Sequence, residues 1–318
     1  MKKHLITGIT GQDGIFLVKK ILEEEDHPLI FGISREVGGS KFYKNLKSLK
    51  IENIENIKLF NLNLNNSSDT SSFIKEYSPD NVYNLTGPSS PYESIQNPEI
   101  YIQIETIFDN LTDALIENKN LANFYQASSS EMFESGDRTK LNELSEFNPK
   151  SPYAKHKFRN HQKVLELRRQ FDWNIYSGIM FNHESEFRKE KYLFKKVINS
   201  ALKIKNKQLQ KLEVGSLDYV RDWSFAGDIS EAIYKISNHG KSDSYVIGSG
   251  IENSIRDLVS IVFEYFNLDM ERAVHVNPSI LRKGDSDYIV SDPTKIKNEL
   301  NWETSLNFKE TVLRCIDL

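Results

Sequence analysis

Short apolar runs alternate with helix-like hydrophobic spacing through the first half of the chain. The runs fall at Leu5 to Thr7, Leu29 to Ile33, Ile57 to Leu62, Val82 to Leu85, Phe124 to Ala127 and Ile175 to Phe181. This alternation predicts a parallel sheet flanked by helices. A helix is expected from about Asp13. Ile104, Ile107, Phe108, Leu111 and Leu115 recur every three or four residues, as an amphipathic crossover helix requires. Another helix is expected to start at Ser151-Pro152-Tyr153, because serine suits the N-cap and proline the first helical position, whose amide has no intrahelical partner. After about Phe181 the pattern turns irregular, with basic segments and short β-like runs such as Tyr245 to Ile247. The expected architecture is α/β: a doubly wound parallel sheet over residues 1–181 and a smaller C-terminal substrate-binding lobe over 182–318, with some later segments returning to the sheet.

The first run ends in Gly8-Ile9-Thr10-Gly11-Gln12-Asp13-Gly14 and leads straight into a helix. Glycines at this spacing permit a tight turn, close approach of a pyrophosphate to backbone amides and close helix–strand packing, and the helix N-terminus attracts the anion. A Rossmann-type dinucleotide site follows, with Gly8, Thr10, Gly11, Gln12, Asp13 and Gly14 as cofactor candidates. The second run ends in Ser34-Arg35-Glu36. Arg35 suits the 2′-phosphate of NADP, whereas Glu36, if it faced inward, would repel that phosphate. NADP is the expected cofactor and NAD the alternative; both charges facing water is the third reading.

Tyr153 and Lys157 stand four residues apart and share one face of the predicted helix. A lysine ammonium one turn away, together with an oxidised nicotinamide, favours the tyrosine phenolate, which then accepts a hydroxyl proton as hydride leaves the adjacent carbon. The fifth run ends in Ser128-Ser129-Ser130-Glu131, at the strand end where open α/β sheets place their chemistry. A Ser129 hydroxyl there can bond the same substrate oxygen. Glu131 supplies a carboxylate that plain oxidoreduction does not need. It can remove the acidic proton beside a new ketone and protonate a departing hydroxyl, which is β-elimination.

Composition narrows the field. The 318 residues carry 41 Lys and Arg against 45 Asp and Glu, a net charge of −4, so no basic excess marks a nucleic-acid binder. The basic stretch from Lys203 to Lys211 is expected to be a solvated face. One cysteine, Cys315, makes neither an internal disulfide nor a thiolate metal site, and no metal is expected. No apolar stretch reaches the roughly 20 residues a bilayer crossing needs, and no export signal is read at the N-terminus. A cytoplasmic enzyme without nucleic-acid or membrane partners is the expectation.

Six pieces in order give the chain a family likeness: residues 7–14; Gln126-Ala127-Ser128-Ser129-Ser130-Glu131; Ser151-Pro152-Tyr153-Ala154 with Lys157; Phe181-Asn182-His183-Glu184-Ser185; Arg221-Asp222-Trp223; and Asp292-Pro293-Thr294-Lys295. The chain resembles the extended short-chain dehydrogenase/reductases, and among them the GDP-mannose 4,6-dehydratases, from about Lys3 to Val312. The resemblance implies a GDP-sugar substrate, NADP recycled within one turnover, and a homodimer or homotetramer joined through the helices near Ile104 and Tyr153. It makes Tyr153 the base at the C4 hydroxyl, Lys157 its partner, Ser129 the neighbouring hydroxyl and Glu131 the acid/base at C5. Asn63, Leu64, Leu85, His183 and Arg188 match cofactor positions. Ser89, Asn182, Lys196, Arg221 and Arg282 match substrate positions. Departures from the family pattern are Ser129 for threonine, Asn63 for aspartate, Glu36 for a second arginine, Glu186-Phe187 for a Pro-Arg pair and Phe133-Glu134 for a Tyr-Gly pair. A same-fold epimerase, reductase or decarboxylase shares the dinucleotide turn and the Tyr/Lys pair. A non-catalytic NADP(H)-binding regulator would not need the full catalytic set.

Overall fold

The computed structural model describes residues 1–35, 39–52, 54–133, 138–281 and 285–316. Glu36, Glu134 and Arg282 lie outside the described residues. Six of the predicted runs form strands β1 (Lys3–Thr7), β2 (Leu29–Ile33), β3 (Ile57–Phe60), β4 (Asn81–Asn84), β5 (Asn123–Ser129) and β6 (Ile175–Met180). Their order across the sheet is β6, β5, β4, β1, β2, β3, every pairing is parallel, and a seventh parallel strand, Ser244–Ile247, closes the edge beside β6. The order reverses between β1 and β4, the switch point at which open α/β sheets take their ligands.

Both faces are covered. On one, helix Gln12–Glu24 buries Ile15, Val18 and Ile21 in a cluster shared with Ile229, Ile233 and Ile236 of helix Ala226–Asn238. On the other, helix Gln103–Glu117 buries Ile107, Phe108, Leu111 and Leu115 against Phe124 and Val164, the last from helix Pro152–Phe171. The latter begins as its sequence demands: Ser151 accepts the Ala154 amide at 3.1 Å, with Pro152 in the first turn.

A boundary at 181 therefore divides the chain only in part. The run Tyr245 to Ile247 belongs to the main sheet, and helix Ala226–Asn238 packs on its face. Four wholly buried residues suit a sheet flanked on both sides, and such a run carries no sign of which strand it will pair with. The second core gathers Phe194, Val197, Leu212, Trp223, Leu258, Val262, Phe308 and Val312. Short strands tie it together: Asn182–Glu184 with Trp223–Phe225, Val220–Arg221 between Asn253–Ser254 and Tyr288–Ile289, and Leu212–Val214 with Val274–Val276. Asp222 holds the junction. Its buried carboxylate accepts from the backbone amides of Ser249, Gly250 and Ser291 and from the hydroxyls of Ser249 and Ser291. Among the described residues, no helix is long and apolar enough to cross a membrane.

Candidate active site

A cleft of about 1260 Å³ opens above the switch point and runs from the glycine-rich turn to the small sheets of the second core. Gly8 has φ +72°, and a Cβ there would stand 3.1 Å from the Leu85 carbonyl, so the turn passes directly over the end of β4. Gly11 caps helix Gln12–Glu24 without a side chain, which leaves the first-turn amides to a ligand. Ser34, Arg35 and Lys41 line the same end, with Asn63, Leu64 and Leu85. Close backbone approach, uncapped amides and two cations fit a phosphorylated dinucleotide.

Three members of the glycine series act differently from expectation. Gly14 does not line the cleft; a Cβ there would come within 2.5 Å of the Ile9 carbonyl oxygen, so this glycine serves helix–turn packing. Gln12 and Asp13 line the cleft, but their side chains turn toward the strand Asn182–Glu184 and its continuation. Gln12 donates to the His183 carbonyl at 2.9 Å and accepts from the Ser185 hydroxyl at 2.9 Å. Asp13 meets His183 Nε2 at 3.0 Å, while His183 Nδ1 donates to the Phe181 carbonyl at 2.7 Å. Two acceptors on one imidazole require both nitrogens protonated. Burial works against the His183 charge, yet the Asp13 carboxylate outweighs it and raises the histidine above its usual range. In return, burial is overcome at Asp13 and its carboxyl is held below the usual value. His183 thus lines the cleft with its ring nitrogens already committed.

At the end of β5, Ser129 caps the short turn Ser130–Met132, accepting the Glu131 amide at 3.3 Å, and Glu131 lines the cleft there. The Ser129 side chain also stands close enough to Tyr153 to bear on its ionisation. Tyr153 and Lys157 are 7 % and 6 % exposed, and Lys157 Nζ stands 5.8 Å from the Tyr153 ring centre. Burial raises the Tyr153 phenol well above its ordinary value; the Ser129 hydroxyl pulls it down and the Glu131 charge pushes it up. Lys157 is lowered by burial to about 8, with the Asp13 charge opposing. Ser129, Glu131, Tyr153 and Lys157, spread over 29 positions of sequence, meet on one wall of the cleft.

Ser89, Asn182, Arg188, Lys196 and Arg221 also line the cleft. Lys196 Nζ donates to the Glu213 carbonyl at 2.9 Å. Arg221 is nearly buried and forms an ion pair with Asp285 at 3.2 Å. Arg188 pairs with Glu184 at 3.1 Å and lies 3.6 Å over the Tyr192 ring. Lys41, Asp285 and Tyr192 also line the cleft; the last two are brought there by contacts with Arg221 and Ser89 that no local spacing signals.

A family model described as GDP-mannose 4,6 dehydratase matches residues 5–315. The GDP-mannose 4,6 dehydratase of Homo sapiens is 32 % identical over 333 residues, covering 97 % of this chain and 88 % of that protein. The Drosophila melanogaster protein of the same name is 30 % identical over 336 residues, with 98 % and 84 % covered. Among solved structures, dTDP-glucose 4,6-dehydratase from Bacillus anthracis in complex with NAD superposes with a TM-score of 0.84 at 19 % identity, covering 99 % of this chain and 96 % of that one, a likeness of fold.

Proposed function

The chain belongs to the GDP-mannose 4,6-dehydratase family, and from that membership we propose that it converts GDP-mannose, or a close GDP-sugar, to the 4-keto-6-deoxy sugar nucleotide with NADP recycled in each turnover. The observation that carries this reading is the placement of the Glu131 carboxylate beside the Ser129–Tyr153 pair at the end of β5.

The glycine-rich turn and the first amides of helix Gln12–Glu24 would hold the pyrophosphate, Arg35 with Lys41 the 2′-phosphate, and Asn63-Leu64 the adenine. Bound there, NADP supplies the acceptor and later the donor of the sugar C4 hydride, and its oxidised ring adds the positive charge that favours the Tyr153 phenolate. Tyr153 takes the C4 hydroxyl proton while Ser129 holds that oxygen. The resulting ketone acidifies C5–H; Glu131 removes that proton and delivers it to the C6 hydroxyl, the C6–O bond breaks, and water departs. Hydride at C6 and a proton at C5 complete the product, so the proton gained by Tyr153 balances the one C5 recovers. Lys196 and Arg221 suit the diphosphate and nucleoside.

The second core is the proposed substrate-binding lobe. The outer faces of helices Gln103–Glu117 and Pro152–Phe171 are proposed to join a homodimer, or a homotetramer built from it, in the cytoplasm. The reaction is tested by incubating the protein with GDP-mannose and catalytic NADP⁺ and weighing the product. Loss of one water without NADPH accumulation is expected. Net conversion of the NADP⁺ to NADPH would make it a dehydrogenase of the sugar instead, and an isomer of unchanged mass would make it an epimerase.

A further inference from the structure

Ser89 and Tyr192 stand 103 positions apart, one in the loop after β4 and the other capping helix Leu193–Lys205 in the second core. Their hydroxyl oxygens meet at 2.6 Å within the lining of the cleft. The Tyr192 ring is fixed from behind: Arg188 lies on its face at 3.6 Å, and Arg188 is itself held by the buried carboxylate of Glu184 at 3.1 Å. Its phenol is near enough to the Tyr153 phenol to bear on that group's ionisation. Tyr192 therefore projects from the substrate side toward the reacting centre.

Two hydroxyls bonded to each other spend one O–H between them. Among the described residues no other hydrogen bond from either side chain accounts for the second O–H, and lone pairs remain on both oxygens. A donor and an acceptor about one hydrogen-bond length apart match the neighbouring hydroxyls of a pyranose ring. A diphosphate, which offers acceptors only, could take the spare O–H but leaves the acceptor lone pairs without a partner.

We infer that Tyr192 is a sugar-specificity residue, which together with Ser89 reads ring hydroxyls of the hexose beside Tyr153. The inference rests on the reading of the cleft as a sugar-nucleotide site. Tyr192→Phe keeps the ring for Arg188 and deletes only the hydroxyl.

The test is calorimetric titration, with GDP-mannose and, separately, with GDP, of the wild type, Tyr192→Phe and Ser89→Ala, each loaded with NADPH and so lacking an acceptor for the C4 hydride. Each variant is expected to bind GDP-mannose about tenfold more weakly, the fold-change of one lost neutral hydrogen bond, and GDP within about twofold of wild type. Equal weakening of both ligands would overturn the inference, since the pair would then only brace the two lobes. A wild type that holds GDP and GDP-mannose equally would overturn it too. Mass analysis of the sugar nucleotide from a separate incubation of the wild type with GDP-mannose and NADP⁺ reports on dehydration, so failure of the reaction is distinguished from failure of the sugar contact.

Discussion

Lys157 donates through Nζ to the backbone carbonyl of Ala127 at 2.7 Å. The same carbonyl accepts Gln126 Nε2 at 2.9 Å; Gln126 Oε1 takes the Asn84 amide at 2.8 Å, and Asn84 Oδ1 the Thr7 hydroxyl at 2.9 Å. A buried polar chain thus crosses β1, β4 and β5 beneath the cleft and ends on the catalytic lysine. Its fixed geometry is what a phenol one turn away requires of its partner.

Lys157 is charged at neutral pH at a cost to folding. Its pKa falls from 10.5 unfolded to about 8 folded, so below pH 8 the penalty is fully present, and it is relieved as pH rises from 8 toward 10.5, where the unfolded chain binds more protons. Lys157→Met should raise Tm at pH 7 and lower kcat on the order of a hundredfold or more. The Ala127 carbonyl keeps Gln126 as a donor in that variant. The Tm gain should shrink between pH 8 and 10; a gain that stays constant over that range would refute the assignment.

Glu131→Gln removes the base at C5 and leaves the Ser129–Tyr153–Lys157 set intact. Single-turnover absorbance should show reduced nicotinamide appearing and persisting, with water loss slowed about 10² to 10⁴-fold. Wild-type dehydration in this variant would sink the role given to Glu131.

Arg35→Ala should weaken NADP about tenfold while NAD changes little, because an exposed guanidinium facing a phosphate loses a charge-assisted hydrogen bond that NAD never makes. Fluorescence titration with both cofactors decides it. Parallel losses would mean that Arg35 faces elsewhere.

Asp222→Ala strands the amide and hydroxyl donors that converge on one carboxylate. Urea unfolding should show a loss of roughly 3 kcal/mol or more, the scale of a broken buried network. A change below about 0.5 kcal/mol, ordinary for a surface substitution, would contradict the hub described here.

Most of the sheet was legible because strands buried along most of their length read as apolar runs, and β1 to β6 each fall within two residues of the predicted limits. The Ser151-Pro152 start of the catalytic helix was legible because capping is local chemistry. What escaped depends on direction or distance. The spacing of the glycine series locates Gln12 and Asp13 but does not say that their side chains turn toward His183 and Ser185. Asp285 and Tyr192 find Arg221 and Ser89 only after the chain has folded. The short run at Tyr245 carries no mark of the partner it will choose.

That run has a practical corollary for anyone who would cut or shuffle this polypeptide. Since Ser244–Ile247 zips onto β6 and helix Ala226–Asn238 roofs the glycine turn's own helix, a fragment stopped at residue 181 would present a bare ladder of amides and carbonyls with an apolar flank beside it. Such a piece is prone to self-association rather than a portable nucleotide module. Swapping specificity between relatives therefore calls for exchanging loops, not halves.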